Sequence, residues 1–285
     1  MIEVRDVSYT YSEGSVSRTE ALSHISLTVN DGDFIGLIGH TGSGKSTLTQ
    51  ILAGIMRPLS GRLFYDGRDM TDIKNIVRAS NGKVGLVFQY PEHQLFEETI
   101  YKDIAFGPRN LGCDENTVKE RVREAAELVG LEEDILETSP FELSGGQKRR
   151  AAIAGVLAMH PDVLILDEPT AGLDPRGREG ILYGIGRVHQ TWCKSVVLVS
   201  HSMEDVAKNA NRVVVLDRGV LKMDGSVREV FSRADALAQM GLAAPQISRV
   251  AAALKKKGID LQKDIFTVED AADAVLSKIG GGGIC

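Results

Sequence analysis

Cysteine is scarce in this chain, and its residues stand apart. Cys113, Cys193 and Cys285 are odd in number and have no metal spacing, which excludes a disulfide framework and a zinc site. They read as reduced thiols, the state kept inside a cell. No apolar run reaches about 18 residues, so no membrane-spanning helix is expected. The start, Met1-Ile2-Glu3-Val4-Arg5-Asp6, lacks the basic and apolar regions of a secretion signal, and a cytosolic chain is expected. Basic residues are outnumbered. The net charge of -6 disfavours a bulk polyanion, so nucleic acid is not expected as a partner. No heptad coiled coil occurs between Thr47 and Leu143. The 285 residues suggest one large domain with a small appendage.

Against these absences stands the run Gly39-His40-Thr41-Gly42-Ser43-Gly44-Lys45-Ser46-Thr47. It fits G-x-x-x-x-G-K-[ST], the P-loop. Glycines let successive backbone N–H groups turn inward around a phosphate, because no Cβ blocks that path. Lys45 brings a charge to the β- and γ-phosphates, and the Ser46 hydroxyl can ligate Mg2+. A helix opening near Lys45 aims its positive end at the same anion. The apolar run Phe34 to Ile38 predicts a strand before the loop, and Ser46 to Leu52 predicts a helix after it. That order of strand, loop and helix predicts a nucleoside triphosphate site rather than a chance glycine turn.

Val163-Leu164-Ile165-Leu166-Asp167-Glu168 is an apolar strand ending in two carboxylates. A strand apolar on both faces belongs inside a parallel sheet, whose C-terminal edge is where ligands bind. Asp167 is placed to hold Mg2+, largely through water, and Glu168 to orient or deprotonate an attacking water. Helix capping would account for an isolated Asp-Glu pair; beside a P-loop the catalytic role is favoured. Leu143-Ser144-Gly145-Gly146-Gln147 opens another predicted helix, a second anion-binding helix start in one chain.

Together these motifs resemble the nucleotide-binding subunit of an ABC ATPase, over about residues 1 to 230. Leu143, Ser144, Gly145, Gly146 and Gln147 match that family's LSGGQ signature, which acts on the ATP of the partner subunit. The resemblance implies further roles. Gln89, after the apolar run Val84 to Phe88, looks like the glutamine that touches Mg2+ and the attacking water. Ala171-Gly172-Leu173-Asp174 resembles the D-loop; Ala171-Gly172 departs from the frequent Ser-Ala or Ser-Gly, but the carboxylate of Asp174 is kept. His201, after Val196 to Ser200, resembles the switch histidine at the γ-phosphate. Tyr11 resembles the aromatic that stacks on adenine, with Tyr9, facing the same way on an alternating strand, as the alternative. The implied fold is an α/β P-loop NTPase (RecA-like) core with an antiparallel β edge and an inserted α-helical subdomain over about residues 90 to 155. ATP and Mg2+ are the implied cofactors.

Along the chain, Ile2 to Tyr11 and Leu22 to Val29 predict edge strands, joined by a polar loop from Ser12 to Arg18. Leu63 to Asp69 predicts a hairpin turn. Glu115 to Val129 sets Val118, Val122, Ala125, Leu128 and Val129 on one helical face. The ATPase domain is expected over 1–232, a helical dimerisation appendage over 233–279, and a flexible tail over 280–285. In the appendage, Ala234 to Met240, Pro245 to Lys257 and Val268 to Ile279 predict short helices. Ile247, Val250, Ala251 and Leu254 form one apolar stripe, with Ser248 and Arg249 turned away. So short a segment must pack on something, either its own core or a second subunit.

The segment Tyr90-Pro91-Glu92-His93-Gln94-Leu95-Phe96-Glu97-Glu98-Thr99-Ile100 is a proline-started turn expected to expose Leu95 and Phe96 beside Gln89. It is similar to the corresponding segment in ATPase subunits of energy-coupling factor (ECF) transporters, importers of vitamins and metal ions, and more to the second of their two ATPase types. His40-Thr41, the loop after Tyr11 and the appendage fit the same branch. The resemblance implies a second ABC ATPase subunit, with a heterodimer expected and a homodimer open. It also implies a membrane-embedded coupling protein docked at Leu95 and Phe96, a substrate-binding membrane subunit, and a peripheral place on the cytoplasmic face of the membrane. The ATPase of a conventional ABC transporter is the alternative. A DNA-repair or chromosome ATPase would need the missing coiled coil, and a translation-associated relative would carry two P-loops where one is present.

Overall fold

The computed structural model describes residues 1–11, 19–71, 82–259, 261 and 265–280. The expected loop from Ser12 to Arg18, Cys285 and residues 281–285 of the expected tail lie outside them.

Strands β1 (Ile2–Tyr11) and β2 (Thr19–Val29) pair antiparallel, from Ile2 opposite Val29 to Tyr11 opposite Thr19. β3 (Phe34–Ile38) is buried along its whole length and leads through the P-loop into α1 (Lys45–Leu52). The expected hairpin forms from β4 (Ser60–Tyr65) and β5 (Arg68–Asp69). Its turn residues Asp66 and Gly67 both have positive φ, the backbone that Asp-Gly supplies at a tight hairpin. These strands make one antiparallel sheet in the order β2-β1-β4-β5.

The second sheet adds β6 (Val84–Val87), β7 (Val163–Asp167), β8 (Ser195–Val199), β9 (Arg212–Asp217) and β10 (Val220–Ser226), in the order β10-β9-β3-β8-β7-β6. All its pairings are parallel except that of β10 with β9. β7 and β8 are buried throughout, as near-continuous apolar runs inside a parallel sheet should be. Their side chains alternate between two cores. Val163, Ile165, Val197 and Val199 face the antiparallel sheet and α1, while Leu164, Leu166, Val196 and Leu198 face the helices on the other side.

Between β6 and β7 the chain is helical, with α2 (Ile100–Asn110), α3 (Glu115–Leu128) and α4 (Gly145–Leu157). Side chains cap each start: Thr99 accepts from Lys102 N, Asp114 from Asn116 and Thr117 N, and Ser144 from Gln147 N. Val118, Val122, Ala125 and Leu128 are the buried face of α3, with Ala126 beside them. Then follow α5 (Pro175–Thr191), α6 (Met203–Asn209), α7 (Val227–Phe231), α8 (Ala234–Gln239), α9 (Gln246–Lys256) and α10 (Val268–Gly280).

The C-terminal helices do two different things. Val230, Phe231, Leu237 and Leu242 join Ile38, Val213 and Val215 in a third core, covering the face of β9 turned away from the antiparallel sheet. Phe266 packs against the same cluster. In contrast, α9 has no buried residue, and Val250 is 52% exposed. Ser248 differs from its expected outward place: its hydroxyl donates to the Ile265 carbonyl at 2.6 Å, which a serine can do from the inner side of the helix.

This division generates a test. Phe231→Ala should cost about 3–5 kcal/mol of stability, the usual loss for a buried phenylalanine. Val250→Ala should change it by less than about 0.5 kcal/mol. Denaturant unfolding that found equal effects would contradict the placement of these two side chains.

Candidate nucleotide site

Parallel pairing sets Leu37 opposite Val199, Val199 opposite Asp167, and Leu166 opposite Val87. The loops leaving β3, β8, β7 and β6 therefore start along one edge, carrying the P-loop, His201, Glu168 and Gln89 respectively. Gly42 and Gly44 take left-handed backbone, with φ of 80° and 101°. A Cβ on Gly44 would collide with the Ala21 carbonyl, so glycine meets two demands there. Lys45 is buried, and its Nζ donates to the carbonyls of Gly39 at 2.8 Å and His40 at 2.9 Å. Burial pulls the Lys45 pKa down, against the carboxylates of Glu168 and Asp167. The buried Ser43 hydroxyl has no hydrogen-bond partner, whereas Ser46 is exposed. His40 is held at the end of β9, Nε2 lying 3.0 Å from Asp217 Oδ1 and Nδ1 2.7 Å from the Thr41 carbonyl.

Tyr11 is tied to this loop: its hydroxyl lies 3.1 Å from Thr47 Oγ1. Its ring is 42% exposed and stands edge-on to Tyr9 at 5.0 Å. Tyr9 packs into the core beneath, which leaves Tyr11 as the ring with a free face.

Asp167 ends β7 and is buried. Glu168 takes a left-handed φ of 52°, rare for a non-glycine residue, which turns its side chain off the line of the strand. Burial raises the Glu168 pKa to about 7; Asp167 adds to the rise, and a His201 backbone N–H and Lys45 oppose it. His201 Nε2 stands 3.3 Å from Glu168 Oε1 without hydrogen-bond alignment, and that oxygen has no partner. Burial, then the Lys45 charge, lowers the His201 pKa, so the ring is neutral near pH 7. Behind it, Ser202 caps α6, and Arg178 of α5 donates to both carboxylate oxygens of Asp205 and to the Ser202 hydroxyl. Asp174 caps α5 by accepting from Gly177 N at 2.6 Å.

The signature residues and the docking residues Leu95 and Phe96 lie apart from this edge, while Gln89 stands at its β6 end. Ser144 and Gln147 form a reciprocal capping box that leaves Ser144 and Gly145 exposed at the start of α4, anchored by buried Leu143. Among the described residues none of their hydrogen bonds reaches the P-loop. Gln89 is exposed just past β6, which ends at Val87 rather than Phe88. In the turn that follows, Phe96 is 64% exposed and meets Phe106 edge-on at 5.0 Å. Leu95 is not exposed with it; it is half-buried against the helical core. The reason is Asp103, whose Oδ1 accepts from the N–H groups of Phe96 and Glu97 and so sets which side chain points out. A cleft of about 160 Å³ opens here between Phe96, Phe106 and Val156. No motif marks Asp103, Arg178 or Asp217; each acts on a segment distant in sequence or through a turn.

Comparison with known proteins adds four findings. A family model described as ABC transporter matches residues 22–171. The energy-coupling factor transporter ATP-binding protein EcfA2 of Caldanaerobacter subterraneus subsp. tengcongensis is 51% identical over 280 residues, 98% of each chain. Of solved structures, cbiO1 from Clostridium perfringens, part of the ABC transporter complex cbiONQ, has a TM-score of 0.72 at 34% identity, over 87% of this chain and 97% of that one. A dimeric ATP-binding cassette in a post-hydrolysis state with ADP and Pi has a TM-score of 0.73 at 27% identity, over 80% and 99%.

The raised Glu168 pKa has a stability consequence with a definite sign. The folded chain favours the protonated form, so this stabilisation is complete below the ordinary value of 4.5 and is lost as pH rises through about 7. Glu168→Gln, neutral at every pH, should therefore raise Tm at pH 8 and give little gain at pH 4.5. An equal gain at both pH values would show that burial does not hold this carboxyl.

Proposed function

We infer that this chain, which belongs to the ABC transporter family and is an ATP-hydrolysing subunit of an energy-coupling factor transporter, closes on a second ATPase subunit with ATP and Mg2+ between them. The observation that carries this is the pairing of an assembled half-site with an unused one. The P-loop, Asp167, Glu168 and His201 share one sheet edge, while among the described residues no hydrogen bond of Ser144 or Gln147 reaches that edge. A capped, exposed helix start beside glycines is an anion site for something else, and the nucleotide of a second subunit fits.

In this account Lys45 exchanges the Gly39 and His40 carbonyls for phosphate oxygens, and Tyr11 offers its free face to adenine. Ser46, Asp167 and Gln89 would hold Mg2+ by their oxygens, the hard donors this ion prefers, and the ion would neutralise phosphate charge. Glu168 accepts the proton of the attacking water, having a pKa near the working pH. His201, neutral, keeps one N–H to give the γ-phosphate. Closure excludes water, and hydrolysis reopens the pair.

The second subunit is a different chain, and the exposed Val250 of α9 with Val268 and Leu276 of α10 supply an apolar surface for it. Residues 1–232 then form the ATPase domain, with the helical subdomain over about 90–155, and 233–279 the dimerisation appendage. The cleft at Phe96 receives a helix of the membrane-embedded coupling protein, which works beside a substrate-binding membrane subunit importing a vitamin or metal ion. Among the described residues no helix is long and apolar enough to cross a membrane, consistent with a peripheral place on its cytoplasmic face.

Glu168→Gln in the assembled transporter should bind ATP as the parent does and lose on the order of 10²- to 10⁴-fold in turnover, the range for a general base. Lys45→Ala should weaken binding itself. Nucleotide binding and single-turnover hydrolysis check both; a Glu168→Gln chain that lost affinity but kept turnover would refute the assignment.

A further inference from the structure

Arg149 lies two residues past Gln147 in α4 and is only 4% exposed. A guanidinium so buried must be paired, because a lone charge is costly away from water. Its partner is Glu92: Nε donates to Oε2 at 3.0 Å and Nη2 to Oε1 at 2.9 Å, a two-pronged bridge. Glu92 belongs to the short 3-10 turn Pro91–Gln94, which follows Gln89 and Tyr90 and directly precedes Leu95 and Phe96. The guanidinium carbon also stands 5.7 Å from the centre of the Tyr90 ring.

The same end of α4 also meets the D-loop. A Cβ built on Gly146 would touch Leu173 at 3.5 Å, and one on Gly172 would lie 3.9 Å from Arg149 Nη1. Between the Leu143 anchor and that contact, Gly145 stands in open space, where a Cβ would meet nothing within 4 Å. Core packing holds the body of α4, and among the described residues the Glu92 bridge is the ion pair that joins it to the turn. Two parallel hydrogen bonds fix orientation as well as distance, which a single contact does not.

We propose that Arg149 is a positioning residue that locks the Pro91–Gln94 turn to α4, so that a partner moving the turn re-aims Ser144 and Gly146 at the nucleotide of the other subunit. This deepens the docking account above and rests on it. The bridge makes one lever of two parts. One end is the docking turn, and the other is the helix start that completes a distant site.

The test compares the reconstituted transporter in vesicles with one carrying Glu92→Gln and Arg149→Gln together. That pair of changes leaves no charge stranded, so the chain should still fold, which Arg149→Gln alone does not ensure. The double variant should keep its membrane recruitment, and its KM for ATP should stay within about 2-fold, while kcat falls roughly 10- to 100-fold, the effect of a small misplacement of a catalytic group. The swap Glu92→Arg with Arg149→Glu should restore part of that kcat. A double variant with the parent kcat would overturn the proposal, since the bridge would then be structural only. Lost recruitment would also overturn it, since the bridge would then merely shape the turn. A Phe96→Ala transporter run alongside separates the two ideas. If it is recruited normally, the docking account fails, and the kcat of the double variant still decides whether the bridge aims α4.

Discussion

Parallel backbone pairing of β3, β8, β7 and β6 is the constraint from which the site follows. Once those hydrogen bonds form, the P-loop, His201, Glu168 and Gln89 must leave the sheet along one edge. Parallel strands demand helical crossovers, and the crossovers cover both faces. A slip of one residue in β7 would exchange its two buried faces and swing Asp167 out of line, so the cores on either side hold the carboxylates in register.

The same burial prepares the chemistry. Away from water, charge is disfavoured on Lys45 and on Glu168 alike, and their pKa values move in opposite directions for that one reason. For Glu168 the result is a carboxyl that titrates near neutrality, suited to taking and returning a proton. Its left-handed backbone keeps it apart from Asp167, so two adjacent carboxylates in sequence have different surroundings and different uses. Arg178, Asp205 and Ser202 hold the loop of His201, and through α5 they join it to the segment capped by Asp174.

Most of this edge was legible in the sequence because each motif is a local device. Glycines at Gly42 and Gly44, the helix start led by Ser144, and the apolar run before Asp167 declare themselves within a few residues. Helix α3 was legible for the same reason, its period being visible in one stretch. Arg149 and Glu92 were not, since they stand 57 positions apart and only the packing of α4 on the turn unites them. Leu95 and Phe96 looked alike as neighbouring apolar residues; the carboxylate of Asp103, several residues on, decides which is half-buried. The appendage could have packed on its own core or on a second subunit; Leu237 and Leu242 share a core with Val213 and Val215 of β9. Periodicity names a buried face but not the element that covers it.

The central claim is that Ser144 to Gly146 complete the site of another subunit and not their own. The most direct measurement is photolabelling of each subunit of the intact transporter by an azido-ATP analogue, with Ser144→Glu introduced into this chain alone. The added negative charge at the start of α4 should abolish tight labelling of the partner subunit, while this chain's own P-loop labels as in the parent. Loss of label from this chain, with the partner unaffected, would contradict the account.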